Sequence, residues 1–207
     1  MMKRFLIILF LTILMFGAIP EASYAVVYTF IPSREDLYDL PHIMAYSWGI
    51  RQQLDTGEVI TGATLDFLNI NNWIIEDSDR LYVRLFQDAS EGISAFFDFF
   101  SGDYFAPNGE QLFIWTDDNE YWDSNLGRLV NPPEDYSYNF SPFEIAKLSQ
   151  AIADGNFGLG FDPDCHFTNQ KIILKIHTEP IPEPASLFLL TIGLLGTGLF
   201  KRKFAKK

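Results

Sequence analysis

The sequence predicts a mostly β fold: a β-sandwich of jelly-roll-like type with one short inserted helix. Three observations carry this expectation. Short apolar runs alternate with turn-forming residues, several of those runs have a two-residue hydrophobic period, and a single segment carries a full set of helix signals. An N-terminal signal helix and a C-terminal transmembrane helix are expected to flank the sandwich. The boundaries read as 1–25 for the signal, 26–180 for an extracytoplasmic domain and 181–207 for a tail.

The N-terminal stretch "MMKRFLIILFLTILMFGAIPEASYA" opens with Lys3 and Arg4, continues as an apolar run over residues 5–16, and ends in small residues. Ser23 and Ala25 occupy the −3 and −1 positions of a cleavage ahead of Val26. Charge, apolar run and small-residue exit are the three parts of a secretory signal peptide, handled by the Sec translocon and signal peptidase. An uncleaved anchor fits less well. About a dozen residues rise only ~18 Å as a helix, short of a roughly 30 Å hydrocarbon core.

Inside the domain, "HIMAYSWGI" is the first strand candidate. In "GATLDFL", Ala63, Leu65 and Phe67 share one face with Thr64 and Asp66 opposite. "RLYVRLF" sets Leu81, Val83 and Leu85 against Tyr82, Arg84 and Phe86. "ISAFFDFF" is too short for periodicity to choose between a buried strand and a helix. "QLFIW" and "NFGLGF" are further strand candidates. In "KIILKIHT", Ile172, Leu174 and Ile176 point inward and Lys171, Lys175 and His177 outward. "NINNW", "EDSDR" and "DDNEYWDSN" read as turns and loops. The helix begins at Ser141, with Pro142 in its first position and Glu144 at capping-box spacing. Ile145, Leu148 and Ile152 form its apolar stripe and Gly155 its stop.

About 155 residues between the two ends suffice for one domain with a real core. Cys165 is the sole cysteine, so no intrachain disulfide forms. Residues 26–182 hold 8 basic and 25 acidic side chains, a net charge near −17. Such a surface repels nucleic acid and favours solubility or cation binding.

The tail "IPEPASLFLLTIGLLGTGLFKRKFAKK" has three parts. Pro182 and Pro184 hold Glu183 in an extended segment (181–184) that a processing enzyme can grip. Residues 185–200 carry no charge and span about 24 Å as a helix, extended by snorkelling lysines and arginines. Lys201, Arg202 and Lys203 open a basic stop (201–207) that keeps the C-terminus cytoplasmic. The domain is thereby placed on the other side of the membrane.

This order of Pro-Glu-Pro, apolar helix and basic end resembles the PEP-CTERM sorting signal of exported bacterial proteins. The resemblance covers about 27 residues. Ile181 stands where valine is common, and the tail ends in lysines more than arginines. It implies an exosortase as partner, removal of the tail, and passage from an inner-membrane intermediate to the cell surface, outer membrane or extracellular polysaccharide matrix of a Gram-negative bacterium. A permanent single-pass anchor is the plainer alternative. The stretch from "SWGI" through "GFDPDCHFTNQKIILKIHT" also resembles the domain of a group of small PEP-CTERM proteins, which supports a β-rich fold and adds no activity.

Chemistry is sparsely signalled. Carboxylates cluster at Glu76, Asp77 and Asp79, at Asp117, Asp118, Glu120 and Asp123, and at Asp162 and Asp164. Calcium takes six to eight oxygens, which such loops can supply. Asp117-x-Asn119 opens like an EF-hand, but Tyr121 and Trp122 stand where a ligand and a glycine belong. Asp162 and Asp164, held close by a turn, are the favoured metal pair. Cys165 and His166 are adjacent, and in extended chain they face opposite ways, a poor nucleophile dyad. His42 and His177 have no zinc spacing. No P-loop, nucleotide fingerprint or G-x-S-x-G occurs.

No catalytic residues are therefore assigned, and no cofactor is expected apart from calcium. Trp48, Trp73, Trp115 and Trp122 are either core or a sugar-binding face, and Trp115 and Trp122 flank the acidic loop. The function expected is that of a non-enzymatic, surface-sorted protein associated with extracellular polysaccharide. The alternatives are an exported carbohydrate-active hydrolase or a calcium-dependent adhesin module on the same scaffold.

Overall fold

The computed structural model describes residues 25–33, 37–55, 57–72 and 79–181, and strand pairing dominates them. In chain order the strands are β1 (Val26–Phe30), β2 (Asp39–Leu40), β3 (Met44–Arg51), β4 (Glu58–Asn72), β5 (Arg80–Phe86), β6 (Gly92–Phe97), β7 (Glu110–Thr116), β8 (Tyr121–Asp123), β9 (Arg128–Val130), β10 (Glu134–Asn139), β11 (Asn156–Pro163), β12 (Phe167–Thr168) and β13 (Lys171–Pro180). The helix α1 (Pro142–Ala153) lies between β10 and β11.

Two antiparallel sheets make the body. One runs β1-β13-β4, with β10 on the other side of β4 and β12-β2 continuing past the end of β13. The other runs β6-β3-β11-β5-β7. Their facing sides form the core. Leu65 and Phe67 of β4 and Leu174 and Ile176 of β13 meet Leu81, Val83, Phe157, Leu159 and Phe161 of the second sheet, all without solvent contact. Phe67 stands edge-on to both Phe161 and Phe113, with ring centroids 6.1 and 6.2 Å apart. T-shaped pairing of this kind adds about 0.5–1.5 kcal/mol beyond area burial.

The strands expected from "HIMAYSWGI", "GATLDFL", "RLYVRLF", "QLFIW", "NFGLGF" and "KIILKIHT" are β3, β4, β5, β7, β11 and β13. Ala63, Leu65 and Phe67 point inward as expected, as do Ile172, Leu174 and Ile176. Lys175 faces out and pairs with Asp66 across the strands at 2.7 Å. "ISAFFDFF" begins as β6, whose outward side chains stay exposed at the sheet edge.

Two expectations are corrected. Residues 69–72 of "NINNW" are the end of β4, not a turn. β4 holds its inward alternation over 15 residues by inserting one extra residue twice. The first insertion lies between Ile60 and Gly62 opposite β13, the second between Phe67 and Ile70 opposite β10. Asn69 takes the left-handed conformation of the second (φ 50°), which asparagine tolerates. Its N–H donates to Asp135 Oδ1 at 2.9 Å and its side-chain amide to Gln170 Oε1 at 2.9 Å. Such bulges bend a strand and increase its twist, so β4 curls around the core. The second correction concerns "DDNEYWDSN", which contains half of the small β8–β9 hairpin.

The helix follows its sequence signals. Ser141 Oγ accepts from the Glu144 N–H, and the Ser141 N–H donates to Glu144 Oε2 at 2.6 Å, closing the capping box. Leu148, Ala151 and Ile152 are buried against the sheets. Gly155 ends the helix at φ 74°, where a side chain would be strained.

Candidate functional site

β4 begins at Glu58 and ends at Asn72, some 14 residue steps away, or roughly 45 Å of strand before curvature. Its two ends mark two poles. At the Asn72 pole a network of buried amides and carboxylates assembles from four segments. The Asn72 N–H donates to Asp117 Oδ2 at 2.9 Å, and Asn72 Nδ2 donates to Asp79 Oδ2. Asn131 Nδ2 donates to Asp117 Oδ2 at 2.9 Å, and it also contacts the Asn72 carbonyl and Asn72 Oδ1. Asn119 Nδ2 donates to the Pro132 carbonyl at 2.9 Å.

The donors of this network are used, but several acceptors are not. Asp117 Oδ1, Asn119 Oδ1 and Asn131 Oδ1 have neither a hydrogen-bond partner nor solvent contact. Three acceptors surround Asn131 Nδ2, which fixes the orientation of that amide and leaves its oxygen facing elsewhere. Each unmet buried acceptor costs about 1–3 kcal/mol if nothing occupies the space beside it. Sequence reasoning overlooks Asn72 and Asn131, because asparagines in polar strings read as turn formers. The carboxylate clusters containing Asp79 and Asp117, and the spacing Asp117-x-Asn119, are the sequence signals that point here.

The favoured metal pair lies elsewhere, beneath the loop of residues 98–109. Asp162 Oδ2 accepts the Tyr104 N–H at 2.6 Å, and Asp164 Oδ1 accepts the Gly102 N–H at 2.9 Å. Each carboxylate thus ties down that loop. Asp162 is 1% exposed. Burial pushes its carboxyl up to about 7; the Tyr104 bond opposes the rise, while Asp98, Asp103 and Asp164 add to it. Among the described residues no three His, Cys, Asp or Glu side chains group so as to hold a metal ion.

The same loop buries an ion pair. Arg84 Nε meets Asp103 Oδ2 at 2.5 Å, and Arg84 Nη1 donates to the carbonyls of Asn108 and Gly109 at 3.1 Å each. Gly109 closes the loop at φ 71°, where a Cβ would sit 2.6 Å from the Leu85 carbonyl oxygen. Alternation predicts Arg84 to be solvent-facing. The loop covers that face of β5, so Tyr82 and Arg84 are buried with their neighbours.

At the Glu58 pole the two chain exits meet. Val26 pairs with Thr178, Pro180 pairs with Glu58, and the Ile181 N–H donates to the Gly57 carbonyl at 2.6 Å. Ala25 precedes β1 and is exposed. Ser23, Pro182, Glu183, Pro184, Lys201, Arg202 and Lys203, and the segments expected to form the two terminal helices, lie outside the described residues. No helix among the described residues is long and apolar enough to cross a membrane. Residues 180–203, which leave from this pole, match the family model of the PEP-CTERM protein-sorting motif. The chain carries a PEP-CTERM sorting signal. A search of curated proteins returned no match.

The PEP-CTERM motif accounts for the tail and leaves the domain's own surface to be read. The tryptophans divide. Trp48 and Trp115 are core, 5% and 4% exposed, so Trp115 does not belong to a sugar-binding face. Trp122 is 63% exposed on the β8–β9 hairpin, beside exposed Tyr121 and Leu129. Trp73 lies outside the described residues. Cys165 is buried, and His166 Nε2 turns to Asp39 Oδ1 on β2. That geometry gives His166 a structural contact between strands.

Proposed function

We propose that this chain is an exported, non-enzymatic sandwich protein whose tail is read and removed by an exosortase, delivering the domain to the cell surface or polysaccharide matrix. The match over residues 180–203 carries this reading. A PEP-CTERM signal implies an exosortase as processing partner, and export through a membrane-anchored intermediate. The signal peptide expected over residues 1–25 supplies the entry step. The sandwich is read as a jelly roll in which a sheet of β1-β13-β4-β10 faces one of β6-β3-β11-β5-β7.

Intact mass and fractionation of the native protein test the sorting. The expected product begins at Val26 and ends near Pro182. Glu183→Ala is expected to leave the tail attached and the protein in the inner membrane. An unprocessed tail on mature wild-type protein, in cells with an active exosortase, rules the reading out.

Polysaccharide association rests on the exposed ring of Trp122, which with its cross-strand neighbour Leu129 offers a stacking surface for a sugar ring. Trp122→Ala is expected to weaken retention on the organism's own exopolysaccharide about tenfold, without a change in melting temperature. Equal retention of variant and wild type argues against it. Glycan or ester turnover by the purified protein replaces the non-enzymatic reading with that of a hydrolase.

A further inference from the structure

The geometry points to a divalent-cation site, suited to calcium, at the Asn72 pole, built from Asp79, Asp117, Asn119 and Asn131. The inference is independent of the sorting reading.

Three features carry it. The first is chemical type. The buried atoms left over by Asp117, Asn119 and Asn131 are all oxygens, while the amide nitrogens of Asn119 and Asn131 are already engaged. A hard cation is the partner that carboxylate and amide oxygens share, and calcium takes six to eight of them, with backbone carbonyls and water completing the set.

The second feature is charge. Asp79 and Asp117 are 2% and 5% exposed, and Asn72 donates to Asp79 through its side chain and to Asp117 through its backbone. Among the described residues Asp117 has no ion-pair partner. A buried carboxylate without a cation is unfavourable unless its oxygens are otherwise satisfied.

The third is preorganisation. The network draws together the end of β4, the residue ahead of β5, the loop after β7 and the residue after β9. Asp117 Oδ2 is fixed by two donors, and that leaves Oδ1 the free ligand atom of a rigid carboxylate.

The test uses the full chain in detergent, stripped with EGTA and then titrated with calcium chloride alone. The expected result is a rise in melting temperature of about 5–10 °C at calcium roughly a hundredfold above its Kd, reversed by EGTA. Terbium is expected to bind at the same place and to luminesce through the nearby Trp115. Asp117→Asn and, as a milder second variant, Asn119→Ala are each expected to weaken terbium binding by about tenfold or more, and the exposed neighbour change Asp118→Asn to leave it unaltered. No calcium shift in the wild-type chain overturns the site and leaves a water-filled network. A shift that survives both Asp117→Asn and Asn119→Ala also overturns it, and loss of the shift in Asp162→Asn instead would move the site beneath the 98–109 loop.

Discussion

Replacing Arg84 with methionine is expected to cost about 3–5 kcal/mol of stability, which for a domain of this size lowers the melting temperature by roughly 6–20 °C. The guanidinium is the cation that Asp103 meets in a region closed to solvent, and it also holds the carbonyls of Asn108 and Gly109. Methionine fills the volume of the stem but leaves the carboxylate buried without its partner. The double change Arg84→Met with Asp103→Leu is expected to recover part of the loss: it removes the unpaired buried carboxylate but leaves the Asn108 and Gly109 carbonyls and the Phe105 N–H without their partners. Denaturant melts of wild type, single and double variants check this. A single variant as stable as wild type would mean that the pair contributes nothing.

Asp162→Asn is expected to act in the opposite direction. In the folded chain the carboxyl keeps its proton until about pH 7, whereas the ordinary aspartate value is 3.8. Folding therefore binds a proton in the interval between. The stability contributed by the neutral acid is complete below about pH 4 and is lost progressively as the pH rises to about 7. Asparagine keeps an oxygen for the Tyr104 N–H and cannot ionise. Its advantage over wild type is expected to grow across that interval to about 4 kcal/mol and then to level off. The groups that set the field are Asp98, Asp103 and Asp164, with Arg84 paired to Asp103 and Arg80 near Asp164. They are common to both chains, so the difference between the two pH profiles isolates Asp162. Parallel profiles would refute the assignment.

How far the sequence alone reaches can be judged from particular residues. The strands with strict alternation, β4 and β13, and the helix with its Ser141–Glu144 box were legible, because local pattern and tertiary burial agree there. Asn69 was not. A bulge depends on which strand lies opposite, and that is a long-range fact with no local mark. Arg84 was misleading for a related reason. Alternation and charge predict solvent on one face of β5, and only the fold reveals that the 98–109 loop lies over it. The Asn72 pole illustrates the same limit in function. Asp79, Asn72, Asp117 and Asn131 are spread over some sixty positions and carry no spacing rule, so they become a group only once β4, β7 and β9 are brought to one end.

The adjacency of β1 and β13 also has a consequence in time. Among the described residues β1 pairs with β13 alone, so on the proposed export route the first of these strands to emerge finds its neighbour only when the last has followed it. β13 likewise supplies the longest partner of β4. In an exported chain the first sheet thus cannot close during passage. On the proposed sorting route it closes when residues 171–180 clear the membrane, with the tail behind them still to be processed. Completion of the fold then comes ahead of the tail's removal.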